Sequence, residues 1–230
     1  MSLKKPHQLI PALLVFWALL LTAFSPARAE VNLGVTGERM AALGGEEAAR
    51  YWADFMAERL GEEAVLRVFT DDEQLFQWME RYRIVELGLA SAKAAQTQPD
   101  GRFYTVSQGV TTGTLLLMRP DLSADRQESL RHHAWSALPD LEHRQAVELA
   151  RQGQPDEALR QLAALRAARP ENRWLIFDTL VVLGWAEKDA EAADLAGETS
   201  LDEAPAYVLE SVGKSLRNLG RFDAAIDLYT

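Results

Sequence analysis

Small hydroxyl and glycine residues gather where strand-like segments end: Thr36 with Gly37, Thr70, Ser91, and Thr111 with Thr112. Ligands of open α/β sheets sit outside the carboxyl ends of the strands, where N–H groups at helix N-termini and nearby hydroxyls favour an anion. Thr36, Gly37, Thr70, Ser91 and Thr112 are therefore the candidate ligand-binding residues, with Thr111 beside them. The plainer assignment, as helix caps and turn residues, is preferred, because small polar residues are expected in such loops. A second candidate is the basic cluster Lys214, Arg217 and Arg221, which would receive an acidic partner peptide or balance Asp223 and Asp227 at i, i+3 or i+4 spacing.

Trp174, Phe177, Trp185 and Tyr207 offer rings that a sugar face would stack on. At helical spacing such rings more often form the core between helices, and that is the expectation here. His132 and His133 are adjacent, about 100° apart on a helix, so they do not face one metal. His143 adds no His-x-x-x-His pattern, and the chain has no cysteine, so neither a metal site nor another cofactor is expected. Glu46-Glu47, Glu62-Glu63 and Asp71-Asp72 sit at helix starts or turns, where carboxylates favour the helix dipole. No nucleophile elbow, phosphate loop or Ser/His/Asp constellation can be assembled, so the expected function is non-enzymatic.

The elements that would position these residues alternate over residues 30–139. Val31, Leu33 and Val35 open a strand. Ala48, Trp52, Phe55, Met56 and Leu60 follow helical spacing up to Gly61. Ala64 to Phe69 reads as a second strand. Thr70 or Asp71 caps a helix whose buried stripe is Leu75, Trp78, Met79 and Tyr82. Ile84 to Ala90 is a third strand. This order predicts βαβ crossovers and a largely parallel sheet. Phe103–Ser107 and Thr114–Arg119 are two further strands, and a helix capped by Ser123 runs to about Leu138, burying Leu130, Ala134 and Leu138.

The chain is 230 residues long and 48% hydrophobic, enough for one or two domains with real cores. Lys4 and Lys5, an apolar run from Leu9 to Phe24, and Ala27-Arg28-Ala29 read as a secretory signal peptide over residues 1–29, cut before Glu30. Acidic side chains outnumber basic ones, 34 to 24, for a net charge of −10. That argues against a nucleic-acid partner.

Residues 141–230 repeat themselves. With Gly153 set against Gly220, Ala146 matches Gly213, Leu149 matches Leu216, Ala158 matches Ala225 and Leu162 matches Tyr229, and a third copy places Leu180, Leu183 and Ala192 between them. The intervals from Ala158 to Ala192 and from Ala192 to Ala225 are 34 and 33 residues. This register resembles the tetratricopeptide repeat (TPR), a helix-turn-helix unit whose copies stack and leave a surface for partners. Expected helices run from Leu141 to Gln152, Pro155 to Ala168, Trp174 to Glu187 and Ala190 to Leu195, with a third copy opening near Pro205 and turning at Gly220-Arg221-Phe222-Asp223.

Two narrower resemblances carry function. Val31-Asn32-Leu33-Gly34-Val35, Tyr51-Trp52, Val68-Phe69-Thr70, Val85–Ala90 and Leu116-Leu117-Met118-Arg119-Pro120-Asp121-Leu122 are similar to the periplasmic phosphate/phosphonate substrate-binding proteins of ABC transporters. That resemblance implies a lobe of the type II periplasmic-binding-protein kind over residues 30–139, one lobe where the family has two. Trp185-Ala186-Glu187-Lys188-Asp189 and the run from Tyr207 to Gly220 resemble the periplasmic TPR region of outer-membrane exporters of poly-N-acetylglucosamine. In that family the repeats precede a β-barrel and gather a polysaccharide-modifying enzyme and the polymer near the pore. The expectation is thus an α/β single lobe followed by an all-α TPR solenoid over residues 140–230. The protein would be an exported periplasmic scaffold that binds a protein partner and possibly polysaccharide. Any membrane association would come from a part beyond Thr230, which would also cover the apolar stripe Phe222, Ile226 and Tyr229. The alternative is a solute-binding module for phosphate, phosphonate or a similar oxyanion.

Overall fold

The computed structural model describes residues 29–229. The leader expected over residues 1–29 lies, but for Ala29, outside them. Five strands form one mixed sheet in the order β2-β1-β3-β5-β4: β1 (Glu30–Thr36), β2 (Glu63–Phe69), β3 (Leu87–Ser91), β4 (Tyr104–Gln108) and β5 (Thr114–Met118). β1 pairs in parallel with β2 and β3, whereas β5 runs antiparallel to both β3 and β4. The sheet is therefore less parallel than the strand–helix alternation predicts. The cause is local: β4 and β5 are joined by the short turn 109–113, which imposes an antiparallel pair.

The two faces of the sheet are packed by different helices. On one, Val31, Leu33 and Val35 of β1, Leu87 and Leu89 of β3, and Leu116 and Met118 of β5 meet Trp52 and Met56 of α2 (Gly45–Leu60). A short α1 (Gly37–Ala42) precedes it. On the other face Phe69, Val85, Ala90, Leu115 and Leu117 meet Leu75, Phe76 and Met79 of α3 (Asp72–Glu80). Gly34 and Gly88 are paired in register beneath α3, and a Cβ at either would collide with Leu75 or Met79 at 2.5 and 2.8 Å. Two neighbouring glycines thus let the helix rest directly on the sheet. α3 ends at Glu80, so Tyr82, expected on its buried stripe, lies past the helix and is exposed.

α4 (Ala92–Gln96) follows β3, and α5 (Ala124–Ala134) follows β5. The helix expected to run on to Leu138 breaks at Trp135-Ser136, and α6 (Ala137–Arg151) begins anew. Leu130, Ala134, Ala137, Leu138 and Leu141 all enter the first core of the sheet. The opening turn of α6, which begins four residues before the expected Leu141, therefore packs in a core of the α/β unit.

After α6 come α7 (Pro155–Ala168), α8 (Arg173–Trp185), α9 (Asp189–Gly197), α10 (Ala206–Asn218) and α11 (Phe222–Asp227). Each helix packs on the next, and α6, α8 and α10 also pack on one another in series. Short connections make successive helices antiparallel neighbours. The three turns within the hairpins are built alike. Gly153, Glu187 and Gly220, 34 and 33 residues apart, all have positive φ (81°, 58° and 73°). The next N–H of each turn donates to the carbonyl five residues before it: Gln154 to Leu149 at 2.9 Å, Lys188 to Leu183 at 3.0 Å and Arg221 to Leu216 at 2.9 Å. These are the bonds that end a helix with a left-handed residue. Ala146, Ala158, Ala192 and Ala225 are buried where hairpin partners approach. Among the described residues no helix is long and apolar enough to cross a membrane.

Candidate functional site

At the carboxyl end of the parallel strands, the hydroxyls of Thr36, Thr70, Ser91 and Thr112 are engaged by the chain itself, whereas the buried Thr111 Oγ1 has no hydrogen-bond partner among the described residues. Thr36 is buried and its Oγ1 accepts from Arg39 N at 3.3 Å, capping α1, whose first residue is Gly37. Thr70 is exposed, with its N–H donating to Gln74 Oε1 at 3.0 Å; Asp71, not Thr70, caps α3. Ser91 caps α4, while its own N–H and hydroxyl donate to the Asp72 carboxylate at 3.2 and 2.7 Å.

The turn between β4 and β5 is the most developed feature of this rim. Val110 N donates to Glu142 Oε2 at 2.7 Å, and Thr111 N and Thr112 N donate to Oε1 at 2.9 and 2.8 Å. The Thr112 hydroxyl adds a fourth bond to Oε1 at 2.7 Å. Glu142, on α6, is fully buried. Arg39 ties the rim together: Nη1 donates to Thr112 O at 3.0 Å and Nη2 pairs with Glu38. Ala92 N donates to Gly113 O at 2.8 Å, so Thr36, Ser91 and Thr112 lie along one edge.

Sequence reasoning passed over Arg39 and Glu142 and read Asp72 only as a partner of a helix dipole. A signal for Glu142 existed. It stands four residues after Leu138 and four before Ala146, on the apolar stripe of its helix, where a carboxylate must find partners.

A second surface is formed by the first helix of each hairpin. His143 Nε2 of α6 lies 2.8 Å from Asp178 Oδ2 of α8, and the Tyr207 hydroxyl of α10 donates to Asp178 Oδ1 at 3.3 Å. Burial, and then the Asp178 carboxylate, hold the Tyr207 phenol above its ordinary pKa. Side chains of three helices thus meet at Asp178 on a single face. Beside it a groove of about 190 Å³ opens between Gly44 and Glu47 of the α/β unit and His143, Val147, Arg151 and Asp178.

The aromatic residues divide. Phe177 is buried, but Trp174, Trp185 and Tyr207 are 55%, 47% and 45% exposed, which corrects their expected place in the core. The helical spacing that suggested burial is real for Phe177. Trp174 stands only one turn before Asp178, on the open side of α8, with its ring edge-on to Phe177 at 6.0 Å. Lys214, Arg217 and Arg221 are all exposed; Lys214 lies two turns beyond Tyr207 on the same side of α10. His132 and His133 stack edge to face at 4.8 Å on α5, away from this surface. Among the described residues no group of three His, Cys, Asp or Glu side chains is placed to hold a metal.

No family model, curated protein or solved structure matches the chain.

Proposed function

We propose that the chain is a non-enzymatic scaffold that binds a protein partner along the face made by α6, α8 and α10, in the manner of TPR proteins. The observation that carries this reading is the side-by-side series of first helices, held by three in-phase turns, with His143, Asp178 and Tyr207 meeting across their open side. Half-exposed Trp174 and Tyr207 give that side the large aromatic contacts that dominate binding energy at interfaces. Exposed Lys214 and Arg217 extend it with positive charge on an otherwise acidic protein, which suits an acidic segment of the partner. The resemblance to polysaccharide-exporter repeats is what favours a periplasmic partner, within an exopolysaccharide export assembly.

The test is capture of the partner by the whole chain. Trp174→Ala with Tyr207→Ala is expected to reduce capture at least tenfold while leaving the melting temperature close to wild type, because both rings are half exposed. Arg160→Glu on the outer side of α7 is expected to leave it unchanged. Undiminished capture by the double variant would refute the reading.

The second reading, a single type II lobe that binds phosphate or phosphonate, draws on Arg39 at the strand-end rim. It is the weaker one, since the donors at Ser91 and in the 110–112 turn are already bonded to Asp72 and Glu142. Addition of millimolar oxyanions to the wild-type chain is expected to leave its melting temperature unchanged.

A further inference from the structure

Three consecutive backbone N–H groups converging on one carboxylate, with a hydroxyl completing the set, form the kind of backbone concavity that binds anions. In most proteins a buried charge is balanced by an opposite charge. Here four hydrogen bonds of 2.7 to 2.9 Å from the 110–112 turn satisfy both oxygens of Glu142. The cradle is shaped for that group. A Cβ on Gly109 would stand 2.5 Å from Glu142 Oε1 and 2.9 Å from Thr112 Oγ1, so a larger residue would fill the space the carboxylate uses. Thr112 is oriented in turn by the buried Thr114 hydroxyl at 2.9 Å.

We propose that the β4–β5 turn is a binding site for a carboxylate or similar small oxyanion, and that Glu142 is its resident ligand, supplied by the helical part of the same chain. The site sits at the strand-end rim where a solute would otherwise bind, so the α/β unit is liganded by its own neighbour. Occupation has a second consequence. Glu142 precedes His143 and Arg144, which line the groove beside α2, so the bond to the turn sets the position of α6 against the α/β unit and with it the groove.

The experiment uses the full chain with Glu142→Ala, which removes the ligand and leaves the donors. Formate is the probe, with chloride at equal ionic strength as the control. Glu142→Ala is expected to melt below wild type, and formate is expected to raise its melting temperature saturably, without a corresponding rise for wild type. Gly109→Ala added to Glu142→Ala is expected to abolish the formate effect by filling the cradle. A formate response that is absent, equal in wild type, or unchanged by Gly109→Ala overturns the proposal. Should Glu142→Ala fail to fold in chloride, the comparison is read as the yield of folded protein on refolding. Greater yield in formate supports the site, and equal yield in the two salts overturns it.

Discussion

At the scale of single residues, the chain places several ionised groups where burial and partners oppose one another. Asp140 is the clearest. Burial pushes its carboxyl above the usual range, and Arg169, with Nη1 3.6 Å away, only partly offsets this. The folded protein therefore holds the Asp140 proton more tightly than the unfolded chain does. The stability tied to that proton is fully present at acid pH and is lost as pH rises through the ordinary carboxylate range to the folded value. Asp140→Asn is thus expected to raise the melting temperature at neutral pH, with the gain shrinking as the solution is acidified. Thermal melts across that range check it, and a gain that grows on acidification would contradict it. Such a residue is hard to read in advance. Nothing in the order of side chains says that Asp140 falls in a first helical turn pressed against the sheet, whereas Gly153 and Gly220 declare left-handed turns by being glycine.

At the scale of elements, the turn that closes each hairpin is the unit that repeats, and its middle copy carries a mismatch. Glu187 adopts φ 58° where the other two copies have glycine. A left-handed conformation costs an ordinary residue about 1–2 kcal/mol, and glycine recovers this less its own extra chain entropy. Glu187→Gly is expected to stabilise the protein by about 0.5–1 kcal/mol, because the side chain is exposed and its removal costs little packing. Chemical denaturation of the two proteins measures it; a loss of stability would mean that the turn is held by the Glu187 side chain.

The elements themselves were largely legible. Apolar spacing found α2, the strands and the hairpins to within a few residues, because one buried face imposes its period on the sequence. It failed where tertiary packing chose between equal patterns. Phe177 and Trp174 are both large apolar residues of α8, and Phe177 is the one covered, in a core shared with α9 and α10. The break at Trp135-Ser136 was hidden for the same reason, since Leu130, Ala134 and Leu138 keep one helical spacing across two helices that share a core.

At the scale of the whole molecule, the sheet and the hairpins are joined through α6. Its first turn completes a core of the α/β unit, its middle supplies Glu142 to the strand-end turn, and its outer side faces the groove. That sharing explains why the 110–112 turn, a candidate anion site whose residues the sequence assigns rather to caps and turns, is committed to an internal partner, while Thr36 and Ser91 are caps as expected. The carboxylate that fills the 110–112 turn comes from a helix 30 to 32 residues away, at a separation no local pattern reveals. The face proposed for a partner is the side formed by α6, α8 and α10, where Trp174 and Tyr207 are half exposed. The most direct test is site-specific photocrosslinking in cells that express the full chain, with the reactive residue placed at Trp174, at Tyr207, or at Arg160 on the outer side of α7. A discrete adduct with one protein from Trp174 and Tyr207, absent from Arg160, is the predicted result. No adduct from the first two, or equal adducts from all three, would contradict the assignment of this face to partner binding.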